Sequence, residues 1–318
     1  MSRRGWLLFA AMCVIWGIPY LLIRVAVRDL SPACVVFLRT AAGALVLLPV
    51  AVRRAVLADL LARWRPLLLF TFIEVTAPWW LLTKAEQSLS SALSGLLVAA
   101  VPLLGVLMAR VVGTAEPIDR VRLAGLVLGI LGVAALVGLQ LGHINLLAVG
   151  AVLLTSLGYA SGPLVLSRRL ADLPSVGVVV ASLLITAVLW APAAALSWPH
   201  HVSAKAGGSM VALALVCTAA GFLVFFALIA EVGPARATVI TYVNPAVAIL
   251  LGVVVLGERF TLGMAIGFPL VLIGSVLATR RAPGVRPAGD VAAAAPLPEV
   301  VAEFSVNGCA SSHNDRQV

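Results

Sequence analysis

The chain has 318 residues, of which 62% are hydrophobic and 11% are charged, and its formal net charge is +9. A soluble domain carries about 25% charged residues, and a folded chain of this size cannot hide so much apolar surface from water. The composition therefore excludes a water-soluble globule. It predicts an all-α polytopic membrane protein, because lipid forces every backbone polar group to bond within the chain.

Ten apolar stretches follow one another along the chain, each close to the roughly 20 residues that cross a bilayer as a helix. Short connectors that hold most of the charge separate them. The predicted centres, in chain order, are Val14, Leu45, Val75, Val101, Gly129, Ser156, Leu184, Leu223, Leu250 and Val271. Beyond them the composition turns to Ala, Pro, Gly and Ser, which predicts a disordered cytoplasmic tail over residues 282–318.

Lysine and arginine are distributed unevenly between the connectors. With a cytoplasmic N-terminus, the cytoplasmic connectors hold about three basic residues for each one outside, Arg53, Arg54 and Arg63 among them. The bias predicts a multi-pass protein of the cytoplasmic membrane with both termini in the cytoplasm. The positive charge thus reports topology, and no nucleic-acid partner is expected because no soluble basic face exists.

The two halves of the chain resemble each other at an offset of about 142 residues, a sign of internal duplication. Matched positions include Pro102 with Pro245, Glu116 with Glu258, and Gly132 with Gly274. We therefore predict two five-helix repeats, over residues 5–140 and 145–279. Because five is an odd number, the repeats must be inverted in the membrane, an arrangement typical of secondary transporters.

Two segments resemble a known family. Residues 16–49, beginning WGIPYLLIRVAVRDL, are similar to the first two helices of EamA-type transporters in the drug/metabolite transporter superfamily. Residues 243–278 are similar to that family's ninth and tenth helices and include its Leu-Gly-Glu-Arg element at residues 256–259. The first half departs from this element with VGTAEPI at residues 112–118. The resemblance implies ten helices, cytoplasmic termini, and export or exchange of a small metabolite without ATP.

Glu74 lies near the middle of the third predicted span, with no basic residue at helical spacing on that helix. A carboxylate at this depth is costly unless it is protonated, paired or hydrated, so it is a candidate for function. Thr71 shares its helical face. We expect both side chains to contact the substrate, and Glu74 either to couple transport to protons or to bind a cationic group. A structural hydrogen bond to a neighbouring helix is the alternative.

Arg39 is the second charge predicted to be buried. It can pair with Glu74, attract an anionic group, or serve a gating or structural role. Pro102 and Pro245 occupy matching places in the fourth and ninth spans, where proline removes a backbone donor and frees carbonyl groups. Such carbonyls are tolerated only beside protein or a wet cavity, so we expect gating or structural breaks there. A simple kink is the alternative.

Aromatic and amide side chains near these positions complete the predicted substrate site: Trp16, Tyr20, Tyr159, Tyr242 and Asn244. Aromatic rings can stack on a substrate or a cation, or can fill space between helices. Trp79 and Trp80 lie closer to a span end and are interpreted as interfacial anchors.

Glycines repeat at helical spacing in the fifth and tenth spans: Gly125, Gly129 and Gly132, then Gly263, Gly267 and Gly274. Small residues on one face let helices approach closely. We expect packing within the chain, with a homodimer seam as the alternative.

The chain lacks the HExxH, P-loop and G-x-S-x-G motifs, so we expect no catalytic residue. The cysteines show no paired spacing, and neither a metal nor a cofactor is expected. The expected partners are a small-molecule substrate, the lipid bilayer and protons. A lipid-carrier flippase of the same superfamily is the strongest rival function, and a membrane-embedded enzyme is the weaker one. A lateral opening towards lipid would favour the flippase.

Overall fold

The computed structural model describes residues 1–52, 57–113, 119–139 and 144–280. Every regular element within these residues is a helix, which confirms the all-α prediction. The predictions that concern Arg53, Arg54, Glu116 and the tail over residues 282–318 lie outside the described residues.

Ten apolar helices form the described bundle. They are α1 (Arg3–Ala26), α2 (Pro32–Ala51), α3 (Trp64–Ala85), α4 (Ser91–Val111), α5 (Arg120–Gly138), α6 (Leu146–Arg169), α7 (Ser175–Leu196), α8 (Ala204–Val232), α9 (Ile240–Leu256) and α10 (Leu262–Ala278). The first eight are long and apolar enough to cross a bilayer, whereas α9 and α10 have 17 residues each. Short helices at Leu57–Ala62 and Pro234–Ala237 precede α3 and α9.

Four of the long helices are irregular near their centres. α1 is interrupted at residues 16–18, before Pro19, and α4 is interrupted at residues 99–100, before Pro102. α3 and α8 instead contain π-helical turns, at Phe72–Thr76 and Leu213–Ala220. Such turns often mark functional sites because they disturb the regular backbone ladder.

The break in α4 is buried in protein. Ser156 of α6 donates to the main-chain oxygen of Leu97 at 3.4 Å, and Ser275 of α10 donates to that of Ala99 at 3.4 Å. These hydroxyl groups replace backbone partners that the interruption removes. The break beside Pro102 therefore faces neighbouring helices.

The backbone at Pro245 was expected to break as it does beside Pro102, but its local structure is different. Pro245 is buried inside α9, which continues through it, and the interruption on that side falls earlier, at residues 238–239. A proline removes only one ladder hydrogen bond, so packed neighbours can hold a helix together across it. The two prolines thus occupy matching sequence positions with different local structures.

α5 and α10 pack backbone to backbone through their glycines. A Cβ atom on Gly125 would lie 2.5 Å from the main-chain nitrogen of Ala278, and one on Gly132 would lie 2.6 Å from that of Val271. A Cβ atom on Gly267 would lie 2.8 Å from the oxygen of Gly132. The glycines therefore serve packing within the chain, and a homodimer stays a prediction.

Helix contacts recur with an offset of five helices. α2 packs on α7, α4 on α9 and α5 on α10, so each of these pairs joins helices at corresponding places in the two predicted repeats. The α1–α8 contact has its counterpart in α6–α3, the α1–α9 contact in α6–α4, and the α2–α8 contact in α7–α3.

Polar contacts join the connectors at each end of the bundle. Arg63, which precedes α3, forms an ion pair with Asp172, which follows α6. At the opposite end Asp29, after α1, accepts a hydrogen bond at 2.9 Å from the main-chain nitrogen of Ser203, before α8. Hydrogen bonding from Ser203 lowers the pKa of the Asp29 carboxyl.

Glu258 ties α9 to the start of α4. α9 ends at Gly257, whose φ of 66° is the left-handed conformation that glycine adopts readily. The Glu258 carboxylate then accepts hydrogen bonds from the main-chain nitrogens of Ser91 at 2.7 Å and Ala92 at 2.9 Å, and from the Ser91 hydroxyl at 3.1 Å. A carboxylate suits the positive end of a helix dipole, so the Leu-Gly-Glu-Arg element caps a helix from the other half of the chain.

Replacing Gly274 by alanine should destabilise the fold, because the new Cβ atom would overlap main-chain atoms of Gly129 and Gly125. We expect a loss of about 1–3 kcal/mol from overpacking. Gly150→Ala is the matched control, since open space surrounds the Cβ position of Gly150 in α6. Thermal unfolding in detergent compares the variants, and equal melting temperatures would contradict the close seam.

Removing the Glu258 carboxylate should also lower stability, because the first amides of α4 would lose their acceptor. We expect Glu258→Ala to cost about 1–3 kcal/mol. Glu258→Gln keeps one side-chain oxygen and should cost less. The same thermal measurement tests the cap, which is refuted if alanine leaves the melting temperature unchanged.

Candidate functional site

Glu74 lies in the π-helical turn of α3. Its side chain is partly exposed, but the Oε2 atom is buried and has no hydrogen-bond partner. It packs against Gly162 of α6, where an added Cβ atom would overlap Oε2. Gly158, one turn earlier, is equally tight against the main-chain oxygen of Ile73. Glycine at these two positions is what lets α6 approach the carboxyl group.

Thr71 does not share the surroundings of Glu74. It is buried, and its hydroxyl donates to Ser182 of α7 at 2.8 Å. Thr76, on the same helix, shares a hydrogen bond of 2.7 Å with Thr186. The π-helical turn alters the angular spacing of side chains, so α3 directs its hydroxyl groups to α7 and its carboxyl group to α6. Substrate contact by Thr71 stays a prediction.

Arg39 is 8% exposed and lies between α3 and α8. Its Nε donates to the Thr218 hydroxyl at 2.8 Å, and its guanidinium carbon lies 3.7 Å from the centre of the Trp79 ring. Thr218 belongs to the π-helical turn of α8 and donates in turn to Leu213 at 2.9 Å. The arginine therefore meets a hydroxyl and an aromatic face, and it forms no ion pair with Glu74.

The position of Trp79 corrects one interpretation. It is 8% exposed and lies under a buried guanidinium group, so it is a core residue, and its interpretation as an interfacial anchor was wrong. A cation–π contact is stronger where water is excluded, which keeps the ring inside the bundle. Trp80 is half-buried and stacks on Trp190 of α7, with 5.4 Å between ring centres.

A second polar cluster lies where α3 ends. Glu86, in the connector to α4, is completely buried, and neither carboxyl oxygen has a hydrogen-bond partner. Its electrostatic neighbours are Arg24, Arg39, Tyr20, Tyr159 and Glu258. Burial raises the pKa of the Glu86 carboxyl well above its usual range, and Glu258 raises it further. The nearby arginines act in the opposite direction.

Tyr159 interacts electrostatically with both carboxyl groups, those of Glu74 and Glu86. It is half-buried in α6, and Arg39, Glu74 and Glu86 are its electrostatic neighbours. Tyr20 of α1 is 7% exposed and interacts with Tyr159 and Glu86 as well. Three predicted site residues, Arg39, Tyr20 and Tyr159, thus interact electrostatically with Glu86.

The remaining predicted residues make packing or structural contacts. Trp16 packs against Phe222 and Phe225 of α8, with ring centres 6.0 and 4.7 Å away. The Asn244 amide, oriented so that its donors face acceptors, donates to Cys13 at 3.2 Å and to Ile240 at 3.0 Å. Tyr242 lies apart from both clusters, with its hydroxyl 3.0 Å from that of Thr279, which follows α10. Their roles as substrate contacts stay predictions.

The sequence interpretation overlooked Glu86, Gly162 and Thr218. Glu86 stands just past an apolar stretch, beside Lys84 and Gln87, and so resembles an ordinary connector charge. One sequence signal indicated that Glu86 lies on a buried face, namely its helical spacing from Leu82 and Leu89. The structure buries all three residues. No local pattern pairs Gly162 or Thr218 with residues far away in the chain.

Comparison with known proteins gives consistent results. The profile of the EamA-like transporter family matches twice, over residues 3–138 and 146–280. An uncharacterized transporter of Bacillus subtilis, YvbV, is 26% identical over 280 residues, which cover 85% of this chain and 90% of that protein. An uncharacterized inner membrane transporter of Escherichia coli K12, YedA, is 28% identical over 287 residues, which cover 85% and 88%. A solved crystal structure shares the fold with a TM-score of 0.62 and 23% identity, covering 87% of this chain and 98% of the other.

Proposed function

This chain belongs to the EamA-like transporter family, and we propose that it exports or exchanges a small organic solute by alternating access. The expected solute is an amino-acid-like metabolite or another small organic solute, and the expected membrane is the cytoplasmic one. The observation that carries the mechanism is Glu74, a carboxyl group in the π-helical turn of a long apolar helix with one buried, unpaired oxygen. Intramembrane carboxyl groups of this kind serve ion and substrate pathways in many transporters.

Two inverted repeats would supply the alternating motion. The family profile matches each half separately, and helix contacts recur with an offset of five helices. The π-helical turns of α3 and α8 contain Thr76 and Thr218, which are 142 positions apart, the same offset as the sequence repeat. These observations support a pseudo-two-fold relation between the halves, through which each half can adopt the conformation of the other.

The ten-span topology accounts for the polar contacts at both ends of the bundle. The segments joined by the Ser2–Glu231 hydrogen bond and the Arg63–Asp172 ion pair all fall on the N-terminal side when α1 to α8 each cross. If α9 crosses as well, Glu258 falls on the opposite side together with Ser91, which donates to it. The Asp29–Ser203 contact falls on the opposite side. A helix of 17 residues reaches about 26 Å, which is the lower limit for crossing a bilayer.

Reporter fusions test this topology. A reporter that is active only in the cytoplasm should be active after Val318 and inactive when inserted after Ser88, between α3 and α4. The basic connectors favour the cytoplasmic side, which is the physical reason for the expectation. An inactive fusion after Val318, with protein present in the membrane, would refute a cytoplasmic C-terminus, and together with an inactive insertion after Ser88 it would refute an even number of spans.

Glu74 has two candidate roles, proton coupling and binding of a cationic group of the substrate. Burial favours the neutral form of a carboxyl group, and hydration or a cation favours the charged form. Opening the site to either side changes these surroundings, so the group can exchange a proton or a cation during the cycle. Its position beside Gly162 and Tyr159 places it at the contact of α3 with α6.

Glu74→Gln should abolish solute movement or make it independent of pH, because the amide keeps the shape of the side chain and cannot titrate. Transport into proteoliposomes measures the effect, after metabolite profiling of media from overexpressing and deleted strains has identified a solute. Glu231→Gln is the matched control, since Glu231 is exposed at the end of α8. Wild-type transport with unchanged pH dependence in Glu74→Gln would rule out both roles.

A variant that leaves Glu74 in place gives an independent check. Gly162→Ala would displace the carboxyl group, because the new Cβ atom would overlap its Oε2. Transport should fall, whereas Gly150→Ala on the same helix should transport normally because its surroundings are open. Equal transport by the two variants would show that the position of the carboxyl group is unimportant.

The flippase alternative requires a polar headgroup to enter from the side of the bundle. A groove of about 330 Å³ faces outwards between α4, α5 and α6, and its lining residues include Leu103, Leu107, Ile130 and Leu153. All residues that line it are apolar, so it offers no partner to a phosphate or sugar. A larger cavity, of about 540 Å³ between α1, α8 and the end of α9, has Arg28, Lys205 and Ser209 among its lining residues. The flippase therefore stays the alternative function.

A further inference from the structure

We propose that Glu86 is a second proton-binding group of the transporter, on the side of the bundle opposite the N-terminus, which exchanges protons with the outside water when that side opens. The inference rests on the proposed transport function for its role in the cycle. The presence of a neutral, buried carboxyl group at Glu86 can be tested without any solute.

The first observation is that the Glu86 carboxyl group is buried without a hydrogen-bond partner. Its side chain has no exposed surface, and both carboxyl oxygens lack a hydrogen-bond partner. An ionised carboxylate in such a place loses its hydration and gains no hydrogen bond in return. The neutral acid avoids most of that loss, so the closed arrangement is suited to a protonated Glu86.

The hydrogen bond made by Arg24 is consistent with a neutral carboxyl group at Glu86. The guanidinium of Arg24 donates to the main-chain oxygen of Glu86, and not to its carboxyl oxygens. A charged carboxylate is a stronger acceptor than a peptide carbonyl and normally captures a nearby arginine. The arginine therefore holds the connector in place while the carboxyl group points elsewhere into the protein.

Charged and titratable groups on several elements interact electrostatically with Glu86. Arg24 and Tyr20 approach from α1, Arg39 from α2, Tyr159 from α6, and Glu258 from the connector after α9. Arg39 is already engaged by Thr218 and Trp79, and Glu258 by the first amides of α4. Neither residue forms a direct contact with the Glu86 carboxyl group in this arrangement.

Opening of this end would reverse the balance at Glu86. Separation of α1 from the α3–α4 connector breaks the Arg24 contact and admits water to the carboxyl group. The charged form then regains hydration, and Arg39 on α2, which does not move away with α1, stabilises it further. Glu86 thus gives up a proton to outside water on opening and must take one up before closing, which links closure to the outside proton concentration.

Glu86 and Glu74 are distinct sites. They are separated by 12 residues of sequence, which corresponds to about 18 Å along a helix. Tyr159 is an electrostatic neighbour of both carboxyl groups and lies on a different helix from either. Glu86 can therefore respond to the outer side of the membrane separately from Glu74, which lies near the middle of α3.

Infrared difference spectroscopy of the full chain in liposomes tests the protonation of Glu86 directly. Wild-type protein should show a band of a neutral carboxyl group that persists above the pH at which exposed glutamates ionise. Glu86→Gln should lose a component of this band that Glu74→Gln and the control Glu231→Gln both retain. A wild-type spectrum indistinguishable from that of Glu86→Gln at every pH would overturn the proposal.

Transport measurements test the coupling. Around the titration of Glu86 the wild-type rate should change by up to about tenfold per unit of outside pH, because one proton is exchanged. Glu86→Gln should lose this dependence on outside pH, and Glu86→Asp should retain it at a shifted pH. Unchanged dependence in a folded Glu86→Gln protein would overturn the coupling. If wild-type protein moves no solute, the transport proposal fails, while the infrared result still decides the state of Glu86.

Discussion

A polar group inside the bilayer must find its partner within the protein, because lipid offers none, and this requirement organises the whole bundle. Hydroxyl groups meet this requirement at a low cost in free energy, because they are neutral and can bond to a neighbouring hydroxyl or main-chain oxygen. They join α3 to α7 through Thr71 and Thr76, and they cover the interrupted backbone of α4. The carboxyl groups of Glu74 and Glu86, like the Ser94 hydroxyl in α4, retain buried oxygens without partners, and a carboxyl group is the most costly of these to bury in its charged form. A buried carboxyl oxygen without a hydrogen-bond partner can still bind a proton or a ligand that passes through the bundle.

Much of the fold was predictable from the sequence because the decisive signal is local. Long apolar stretches mark helices wherever they occur, and the depth of Glu74 follows from counting along one of them. The Leu-Gly-Glu-Arg element also revealed a helix end, although the helix that Glu258 caps belongs to the other half of the chain. That partner depends on which helices pack together, which the apolar pattern does not encode.

The site was predicted less completely for the same physical reason. A π-helical turn redirects side chains, so the helical spacing of Thr71 and Glu74 did not place them on one face. Trp79 looked interfacial by its distance from a span end, but Arg39 from another helix draws it inward. Glu86 looked exposed because a connector usually is. Each difference arises from a contact between residues that are distant in sequence.

The glycine seam between α5 and α10 has a consequence for the geometry of the transport cycle. If the halves exchange conformations, α5 takes the place of α10 and α10 that of α5, so their contact is mapped onto itself. A contact with this property is the same in the inward-open and outward-open states. The α1–α8 and α6–α3 contacts, in contrast, are mapped onto each other. In such an exchange the contact between α5 and α10 would stay fixed and act as a pivot. The α1–α8 and α6–α3 interfaces would change, each adopting the arrangement of the other.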